Sequence, residues 1–591
     1  HGDRDGREWK NRVLVIADDG NAGSHMKQTE RMIANMLETE GGRNMVYKKA
    51  YIDAYDIIGG TCPGARERMM TALDEGTMWW HFTGHAGRSF LTGDNLLTYT
   101  DINNLSPRKL PVFVGATCSF MQWDGVEPSG CEIMALNPRG GIIAAISTTR
   151  EVFVDDNGKL TDALGHEAFA TDERGVYPTL GEILMRTKNR LGSPYGQRND
   201  NKLRYALLGD PAMRCAMPAN RVKLLSINGK TLGSEDDETA WPEISAKSTA
   251  ELTGAVYSAG GELMSEFNGI LSTTLYDAEY STTSQGRSTK LDGDGERVTF
   301  EQQGERLFSG RDSVRNGLFS IRIPMPADIA DNYRPAMLTM YARNEGGTEA
   351  AGCDRGFYVC GYDDTADTDT LKPRIDYIYL NHESFTAGGT VNASPMMIAG
   401  VSDDRGLNLS NAGIGRQMTL TLDGERVYTD VASRYTPSAD GRPQGVIAYP
   451  LSDLASGAHT LTLRIFDVQG NMAEQSIEFV VDPMSRPTLF SVWTDASPAT
   501  ASANFYLSHD RPGTTLKAVL GIYDLMGRLL WSTTVTDRSD MGTTSPIRWD
   551  LSDRSGRRVA RGIYVYRATL TDPTGTAAPA AATGRIAVAA P

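Results

Sequence analysis

The sequence predicts a multidomain protein, in which an α/β domain with a mostly parallel sheet precedes three antiparallel β-sandwich modules of the Ig-like kind. Over residues 12–217, short apolar strands alternate with helical patterns, as in a parallel sheet covered on both faces. From about Asn220 the helical periodicity disappears, and short alternating runs are separated by Gly, Asp, Asn and Ser turns. A length of 591 residues leaves room for these domains.

The α/β domain is predicted over residues 1–218. Buried strands are expected where apolar and β-branched residues run together, at 12–17, 44–49, 77–82, 111–117, 140–147 and 203–208. Helices are expected at 26–37, from Pro63 onward, and around 158–170 and 179–191. Pro63 suits a helix start, because the first helical position needs no N–H donor.

The three β-modules are predicted at 219–370, 371–485 and 486–591. Each contains alternating runs such as Gln417-Met-Thr-Leu-Thr-Leu-Asp-Gly, which are typical of strands with one buried face. The Ala-, Pro- and Thr-rich piece at 573–583 is expected to be a flexible loop and not a strand.

Composition excludes several classes of protein. The net charge of −15 argues against nucleic-acid binding, and no run of about 18 apolar residues predicts a membrane-spanning helix. Six cysteines are too few for a disulfide scaffold, although Cys353 and Cys360 are close enough in sequence to form a local clip. No Cys/His spacing suggests zinc, and no nucleotide-binding glycine motif follows a strand. We therefore expect no cofactor and leave structural calcium open.

Two predicted strands each end at a reactive side chain. The strand at 77–82 leads through Thr83-Gly84 to His85, and the strand at 111–117 leads directly to Cys118. Parallel sheets bind ligands beyond the carboxyl ends of their strands, so both side chains are expected in one crevice. A thiol beside an imidazole is a nucleophile and base pair. The pattern predicts a cysteine-dependent peptidase or acyl transferase.

Each candidate has an alternative reading. Free cysteines are often buried small hydrophobes, but Cys118 is flanked by small residues that leave room for a substrate. His81 lies within the aromatic run and is read as a core histidine, whereas His85 lies between small residues and is chosen as the base. The loop cysteine Cys62 and the helix-start cysteine Cys131 are read as structural.

Three backbone or carboxylate groups complete the predicted site. The backbone N–H groups of Ala86 and Cys118 are expected to stabilise the oxyanion. Asp19, at the end of the first strand, is the candidate for orienting the imidazole. Simple turn formation by Asp18-Asp19-Gly20 explains this carboxylate equally well, and a Cys-His dyad works without it.

The pairing of T-G-H-A-G with V-G-A-T-C-S, each after a hydrophobic strand, resembles the gingipain-type cysteine peptidases, which are related to caspases. The similarity covers about residues 10–215. It implies His85 as base, Cys118 as nucleophile and Asp19 near the acidic third residue. Arginine-specific members carry an aspartate where this chain has Met26, so we assign the substrate pocket to Met26, Trp80 and Thr149 and expect a small or apolar P1 residue.

The last module resembles the C-terminal sorting domains of type IX secretion cargo, through I-Y-D-L-M-G-R, W-D-L and G-I-Y-V-Y. Together the resemblances imply a type IX secretion sortase exposed on the outer-membrane surface. Such an enzyme cleaves sorting domains from cargo and passes the new carboxyl end to an amine acceptor such as anionic lipopolysaccharide. The implied docking partner is the outer-membrane β-barrel protein PorV. The family also has an N-terminal subdomain, so we expect the chain to be the carboxyl part of a longer precursor.

Two other functions fit the same residues. One is a secreted gingipain-like endopeptidase of non-arginine specificity, in which the last module is only an export signal. The other is a non-enzymatic surface adhesin, in which the β-modules bind a partner and the α/β domain is a spacer.

Overall fold

The computed structural model describes residues 8–107, 109–138, 140–192, 200–233, 238–287, 295–411, 413, 415–538, 542–571 and 578–589. The chain forms two compact units. The first comprises His1–Ala366 with Ala439–Gly441, and the second comprises Asp367–Ser438 with Arg442–Pro591. Among the described residues, no helix combines the length and apolar character needed to cross a membrane.

The first domain is built on a six-stranded sheet and has a separate short hairpin. The strands of the domain are β1 (Arg12–Ala17), β2 (Val46–Tyr51), β3 (Trp79–Thr83), β4 (Ala86–Gly87), β5 (Phe90–Leu91), β6 (Val112–Ala116), β7 (Ala144–Thr148) and β8 (Tyr205–Leu208). The sheet order is β2-β1-β3-β6-β7-β8, while β4 and β5 form a separate hairpin. All neighbours in the sheet are parallel except β7 and β8, which confirms the mostly parallel sheet predicted above.

Helices cover both faces of this sheet. They are α1 (Ser24–Leu37), α2 (Glu40–Arg43), α3 (Pro63–Glu75), α4 (Tyr99–Asn104), α5 (Gly130–Leu136), α6 (Val154–Glu167) and α7 (Leu180–Arg190). One core joins α1, α6 and α7 to the sheet, and a second joins α3, α4 and α5 to its other face. Capping boxes begin α4, α5 and α7, where a Ser or Thr and an acidic residue satisfy backbone N–H groups at the helix start.

The rest of the first unit is a β-domain. Its strands are β9 (Asn220–Ile227), β10 (Lys230–Thr231), β11 (Glu243–Ala246), β12 (Thr249–Tyr257), β13 (Gly269–Tyr276), β14 (Tyr280–Thr283), β15 (Thr299–Gln302), β16 (Arg306–Val314), β17 (Leu318–Pro324), β18 (Met337–Asn344), β19 (Glu349–Asp354) and β20 (Tyr358–Tyr362). Eight of them form one sheet in the order β16-β13-β18-β19-β9-β12-β17, with β10 paired to β9.

The strands β14 and β15 pair only with each other and extend from this domain as an arm, residues 280–287 and 295–302 in the described chain. Val298 and Phe300 from the arm are buried in the core shared by α1 and the six-stranded sheet. Phe300 lies against Tyr51 of β2, with ring centroids 4.6 Å apart. The first domain is therefore completed by residues of the β-domain that follows it in sequence.

The second unit consists of antiparallel sheets with two separate cores. Its strands are β21 (Arg374–Leu380), β22 (Thr390–Val391), β23 (Met396–Ser402), β24 (Thr419–Leu422), β25 (Arg426–Tyr428), β26 (Tyr435–Pro437), β27 (Gln444–Pro450), β28 (Gly457–Phe466), β29 (Met472–Val481), β30 (Leu489–Thr494), β31 (Ala503–His509), β32 (Thr515–Tyr523), β33 (Leu529–Arg538), β34 (Ile547–Trp549), β35 (Gly562–Thr571) and β36 (Ala580–Val588).

The sheets β21-β23-β27-β26 and β22-β29-β28-β24-β25 share one core, and the sheets β30-β31-β34 and β33-β32-β35-β36 share the other. The α/β domain and the β-sheet character of the remainder are thus present as predicted, while the count of three Ig-like modules stays a prediction. The loop predicted at 573–583 is wrong for its last residues, because Ala580 begins β36 and pairs with Leu570 of β35. The part at 573–577 lies outside the described residues.

Candidate active site

The pairing register of the sheet brings His85 and Cys118 to equivalent positions on neighbouring strands. Thr83, the last residue of β3, pairs with Ala116, the last residue of β6. His85 and Cys118 each follow that last pair by two residues. Because neighbouring strands lie about 4.8 Å apart, this register places both side chains at one edge of the sheet. The central strand β1 ends beside them, since its Ala17 also pairs with Thr83.

His85 is exposed on a tight turn that is held by its backbone. Its N–H donates to Asp18 Oδ2 at 2.9 Å, and its carbonyl accepts from Thr92 N at 3.0 Å. Gly84 makes the turn possible, because a Cβ there would lie 2.2 Å from the Cβ of Asp18. The ring contacts Asn21 through Nε2 and Oδ1 at 2.7 Å.

The His25 ring of α1 meets His85 edge-on, with centroids 5.1 Å apart. A fixed backbone and two ring contacts define where the imidazole lies. Neither Asn21 nor His25 was predicted as a site residue, since no local sequence pattern marks them.

Cys118 is half-buried at the end of β6, against the chain that follows β7. Its thiol accepts from Val152 N at 3.5 Å and contacts Val152 O at 3.8 Å. These two contacts fix the position of the sulfur beside the backbone of Val152. The next residue, Ser119, has φ of 51°, in the left-handed region that non-glycine residues rarely occupy. Its N–H donates to Arg150 O at 3.1 Å, which fixes the strained turn.

The structure corrects the role predicted for Asp19. Its carboxylate forms an ion pair with Arg287 at 3.2 Å, whereas the imidazole of His85 contacts Asn21 instead. The neighbouring Asp18 supports His85, but through the backbone N–H and not through the ring. Asp18 is almost fully buried, and this burial raises its pKa to about 8. Asp18 is therefore a positioning group for the His85 turn.

Arg287 reaches this edge from the β14–β15 arm. Besides Asp19, its guanidinium donates to the carbonyls of Ile52, at 3.3 Å, and Tyr55. The backbone N–H groups of Gly286 and Arg287 donate to the carboxylate of Asp53 at 2.8 and 3.2 Å. A residue 268 positions away from Asp19 in sequence thus sets the charge balance at the end of β1.

The predicted pocket residues differ in accessibility. Met26 and Trp80 have no exposed surface and lie in the two cores on opposite faces of the sheet, so neither presents a surface to a substrate here. Thr149 is half-buried, and its hydroxyl donates to Arg204 O at 3.1 Å. Exposed apolar side chains lie instead in the segments around the thiol. Phe153, which follows Val152, is 62% exposed, and Trp123 is 49% exposed.

The remaining histidine and cysteine candidates are buried. His81 is fully buried with Nε2 2.8 Å from Thr83 Oγ1, and burial lowers its pKa to about 3, as expected of a neutral core histidine. Burial raises the pKa of the Cys62 and Cys131 thiols. Cys353 and Cys360 are both free, so the expected local disulfide is not formed.

Two clusters of three residues near the site have side chains whose spacing would suit a metal ion. Asp18 with His25 and His85, and Asp18 with Asp19 and Asp94, each place their ligand atoms within 4.8 Å of one another. In the second group, Arg287 already supplies a positive charge to Asp19.

The oxyanion role of the Ala86 and Cys118 N–H groups stays a prediction.

Residues 2–216 match the family model of peptidase family C25. No curated protein matches the chain. Among solved structures, dimeric latent PorU from Porphyromonas gingivalis is 20% identical, with 98% of this chain and 64% of that chain covered and a TM-score of 0.30. The Arg-specific cysteine proteinase gingipain R is 19% identical over 59% of this chain and 67% of that chain, with a TM-score of 0.31.

A complex of the pro- and mature domains of RgpB from P. gingivalis is 18% identical over 59% of this chain and 69% of that chain, with a TM-score of 0.31. These identities and TM-scores are too low to transfer a function, and the family model matches only the first domain. The chain spans less than two thirds of the PorU structure it matches.

Proposed function

We propose that the domain of residues 2–216, which matches the family model of peptidase family C25, cleaves peptide bonds with Cys118 as nucleophile and His85 as its proton-transfer partner. The observation that carries the proposal is the register of β3 and β6, which places the two residues at equivalent positions beyond Thr83 and Ala116. The thiol lies next to a backbone donor, and the imidazole is exposed to solvent.

In this mechanism the Cys118 thiolate attacks the scissile carbonyl, and the imidazolium of His85 gives its proton to the leaving amine. The carbonyl oxygen becomes an oxyanion in the intermediate, where backbone N–H groups stabilise it. The product is a thioester between Cys118 and the new carboxyl end of the substrate. Water or a second amine then attacks the thioester, with His85 accepting the proton.

Mild alkylation with iodoacetamide, followed by peptide mapping, tests the nucleophile. Cys118 is expected to react at least tenfold faster than Cys62 or Cys131, which are buried and serve as internal controls. His85→Ala is expected to slow the labelling of Cys118 because it removes the basic partner. Equal labelling of all three cysteines would remove the enzyme assignment and favour the adhesin alternative.

Within this chemistry, we propose that the enzyme is a type IX sortase similar to PorU. Support comes from the order of the chain, in which a C25 domain and β-domains precede a last module with the I-Y-D-L-M-G-R and G-I-Y-V-Y segments of sorting domains. The proposed substrates are cargo proteins with C-terminal sorting domains, and the proposed acceptor is anionic lipopolysaccharide. PorV is the proposed docking partner at the outer-membrane surface.

A cargo fragment with its sorting domain, incubated with enzyme and a small amine, separates the two peptidase functions. A sortase is expected to release the sorting domain and join the amine to the new carboxyl end. Hydrolysis alone, with unrelated proteins cut equally fast, would favour the gingipain-like endopeptidase. In cells, Cys118→Ala is expected to leave cargo with uncleaved sorting domains, and normal cargo maturation would exclude the sortase.

The exposed side chain of Phe153 supports a substrate with an apolar residue at the cleavage site. Phe153→Ala is expected to raise KM about tenfold for peptides with an apolar P1 residue, since a lost apolar contact of this size costs about 1–3 kcal/mol. Peptides with a charged P1 residue serve as the comparison. An equal change in KM for both peptide sets would place Phe153 outside the P1 pocket.

A further inference from the structure

A group of carboxylates lies at one end of the sheets in the second unit. Asp369 belongs to the segment before β21, and Asp403 and Asp404 follow β23 directly. One oxygen from each of the three lies within 4.8 Å of the other two. Two ligands of one calcium ion are at most about 5 Å apart, because each Ca–O distance is about 2.3–2.6 Å. The three oxygens thus have the spacing of a shared calcium ion.

Two carboxylate oxygens of this cluster are buried without a hydrogen-bond donor. Asp369 is 7% exposed, and its Oδ2 has no hydrogen-bond partner among the described residues; the same holds for the buried Oδ1 of Asp403. Burying a charged oxygen without a donor costs free energy, and native proteins rarely leave such atoms unpaired. A positively charged partner would offset this cost, and Asp369 Oδ2 has one such neighbour in Arg405, at 3.5 Å.

The other oxygen of each carboxylate is fixed by backbone donors. Leu371 N donates to Asp369 Oδ1 at 2.9 Å. Asp403 Oδ2 accepts from Arg405 N at 2.8 Å and from Gly406 N at 2.7 Å. Asp369 and Asp403 are therefore each held through one oxygen, which leaves the other oxygen available to a cation.

The neighbouring Asp467 shows how this region satisfies a carboxylate that has no ligand role. Asp467 is fully buried, yet Oδ1 accepts from Gln469 N and Asn471 N, and Oδ2 accepts from the Asn471 side chain. By contrast, Asp369 Oδ2 and Asp403 Oδ1 are buried without such a donor among the described residues. The positive charge recorded at the cluster is Arg405, whose Nε lies 3.5 Å from Asp369 Oδ2. The single positive charge of Arg405, whose side chain is partly exposed, does not neutralise the three carboxylates of the cluster.

We propose that Asp369, Asp403 and Asp404 bind one calcium ion. The ligands are all carboxylate oxygens, which suit a hard divalent cation and not zinc or copper. Bound calcium displaces Arg405 toward solvent and links the 367–371 segment to the loop after β23. Asn471 and Gln469 already hold that segment, through Asp369 O at 3.1 Å and Asp369 N at 2.8 Å, so the ion completes an existing attachment.

Calorimetric titration of the full chain with CaCl2, after removal of metal with EGTA, tests this site. The wild-type chain is expected to bind one more calcium ion than Asp369→Asn or Asp403→Asn, with a Kd of about 10⁻⁴–10⁻³ M, as in extracellular modules. Calcium is expected to raise the Tm of the wild-type second unit but not that of the two variants. Asp453→Asn is the matched control, since Asp453 is an exposed loop aspartate of the same module.

Arg405→Gln distinguishes a calcium site from a simple ion pair. If calcium is the intended partner, this variant binds calcium at least threefold more tightly than the wild type, because a competing cation is removed. If Arg405 is the intended partner, the variant loses thermal stability and calcium restores none of it. That result, or equal calcium stoichiometry in the wild type and both Asp variants, would overturn the proposal.

Discussion

At the scale of single residues, the position of His85 depends on contacts with residues of the first strand and of the turn that follows it. Asp18 accepts the backbone N–H of His85, and Gly84 is the residue that allows this close approach. Asn21 contacts the ring from the turn after β1. The position of His85 is thus set by the first strand as much as by its own strand.

Substitution of Gly84 by alanine tests this contact. The added Cβ would lie 2.2 Å from Asp18 Cβ, so the turn that carries His85 must shift. We expect at least a tenfold loss in kcat/KM, because displacements of about 1 Å at a catalytic group carry costs of this order. Gly93→Ala is the control, since a Cβ at Gly93 meets no atom within 4 Å. Equal rates in both variants would show that the Gly84 contact does not position His85.

The buried His81 makes the first domain sensitive to acid. Its pKa is lowered to about 3 in the folded chain, against about 6.5 when unfolded. Between these values only the unfolded chain takes up the proton, so stability is full above about pH 6.5 and falls as pH decreases toward 3. The free energy of unfolding then falls by up to about 1.4 kcal/mol per pH unit.

His81→Gln cannot take up this proton and is expected to lose less stability than the wild type between pH 6.5 and pH 4.5. Scanning calorimetry at the two pH values measures the difference. His166→Gln, at a partly exposed position, should respond to pH as the wild type does. An equal drop in Tm for His81→Gln and wild type would contradict the assignment.

At the scale of elements, the β14–β15 arm supplies part of the first domain. Phe300 is 3% exposed against Tyr51, and Phe→Ala changes at such sites cost about 3–5 kcal/mol. We expect Phe300→Ala to speed hydrogen exchange in β1 and β2 and to lower the Tm of the first unit. Tyr280→Ala, at an exposed position of the same arm, is the control. Unchanged exchange in β1 and β2 would mean that the arm adds no stability to the sheet.

The elements themselves were largely predictable, because each strand of the sheet is an apolar run and most helices carry periodic apolar residues. The pairing of His85 with Cys118 followed from two such runs that end at reactive residues. Arg287 and Phe300 were not predictable, since the arm has no pattern that marks its contact with a distant domain. Strand β36 was missed because its Ala-rich sequence has low strand preference, while pairing with β35 along its length decides its structure.

The contacts of individual side chains could not be predicted from the sequence where the geometry of a turn or helix determines which way each side chain faces. Asp19 and Asp18 are adjacent and identical in type, and only the fold shows that Asp18 faces His85 while Asp19 faces Arg287. Met26 was assigned to the pocket by position in the helix, but α1 turns this side chain into the core. Sequence therefore identified the sheet edge at which His85 and Cys118 lie, but not the contacts that Asp18, Asn21 and Arg287 make there.

At the scale of the whole molecule, the two units have separate cores, and the first unit includes the arm. A fragment of residues 1–366 is therefore expected to unfold cooperatively, and so is a fragment of residues 367–591. Residues 1–218 alone lack Val298 and Phe300 and are expected to aggregate or to melt at lower temperature than 1–366. Circular dichroism during heating measures all three. A 1–218 fragment as stable as 1–366 would show that the arm is dispensable for folding.

The register that joins Thr83 to Ala116 has a consequence for how such an enzyme changes over time. Because the sheet register and the short turns directly after β3 and β6 set the spacing of the two reactive residues, more distant loops are not needed for that spacing. Insertions or deletions in those loops can alter which peptides are accepted while the reaction itself stays intact. Selectivity and chemistry are then free to evolve separately on one scaffold.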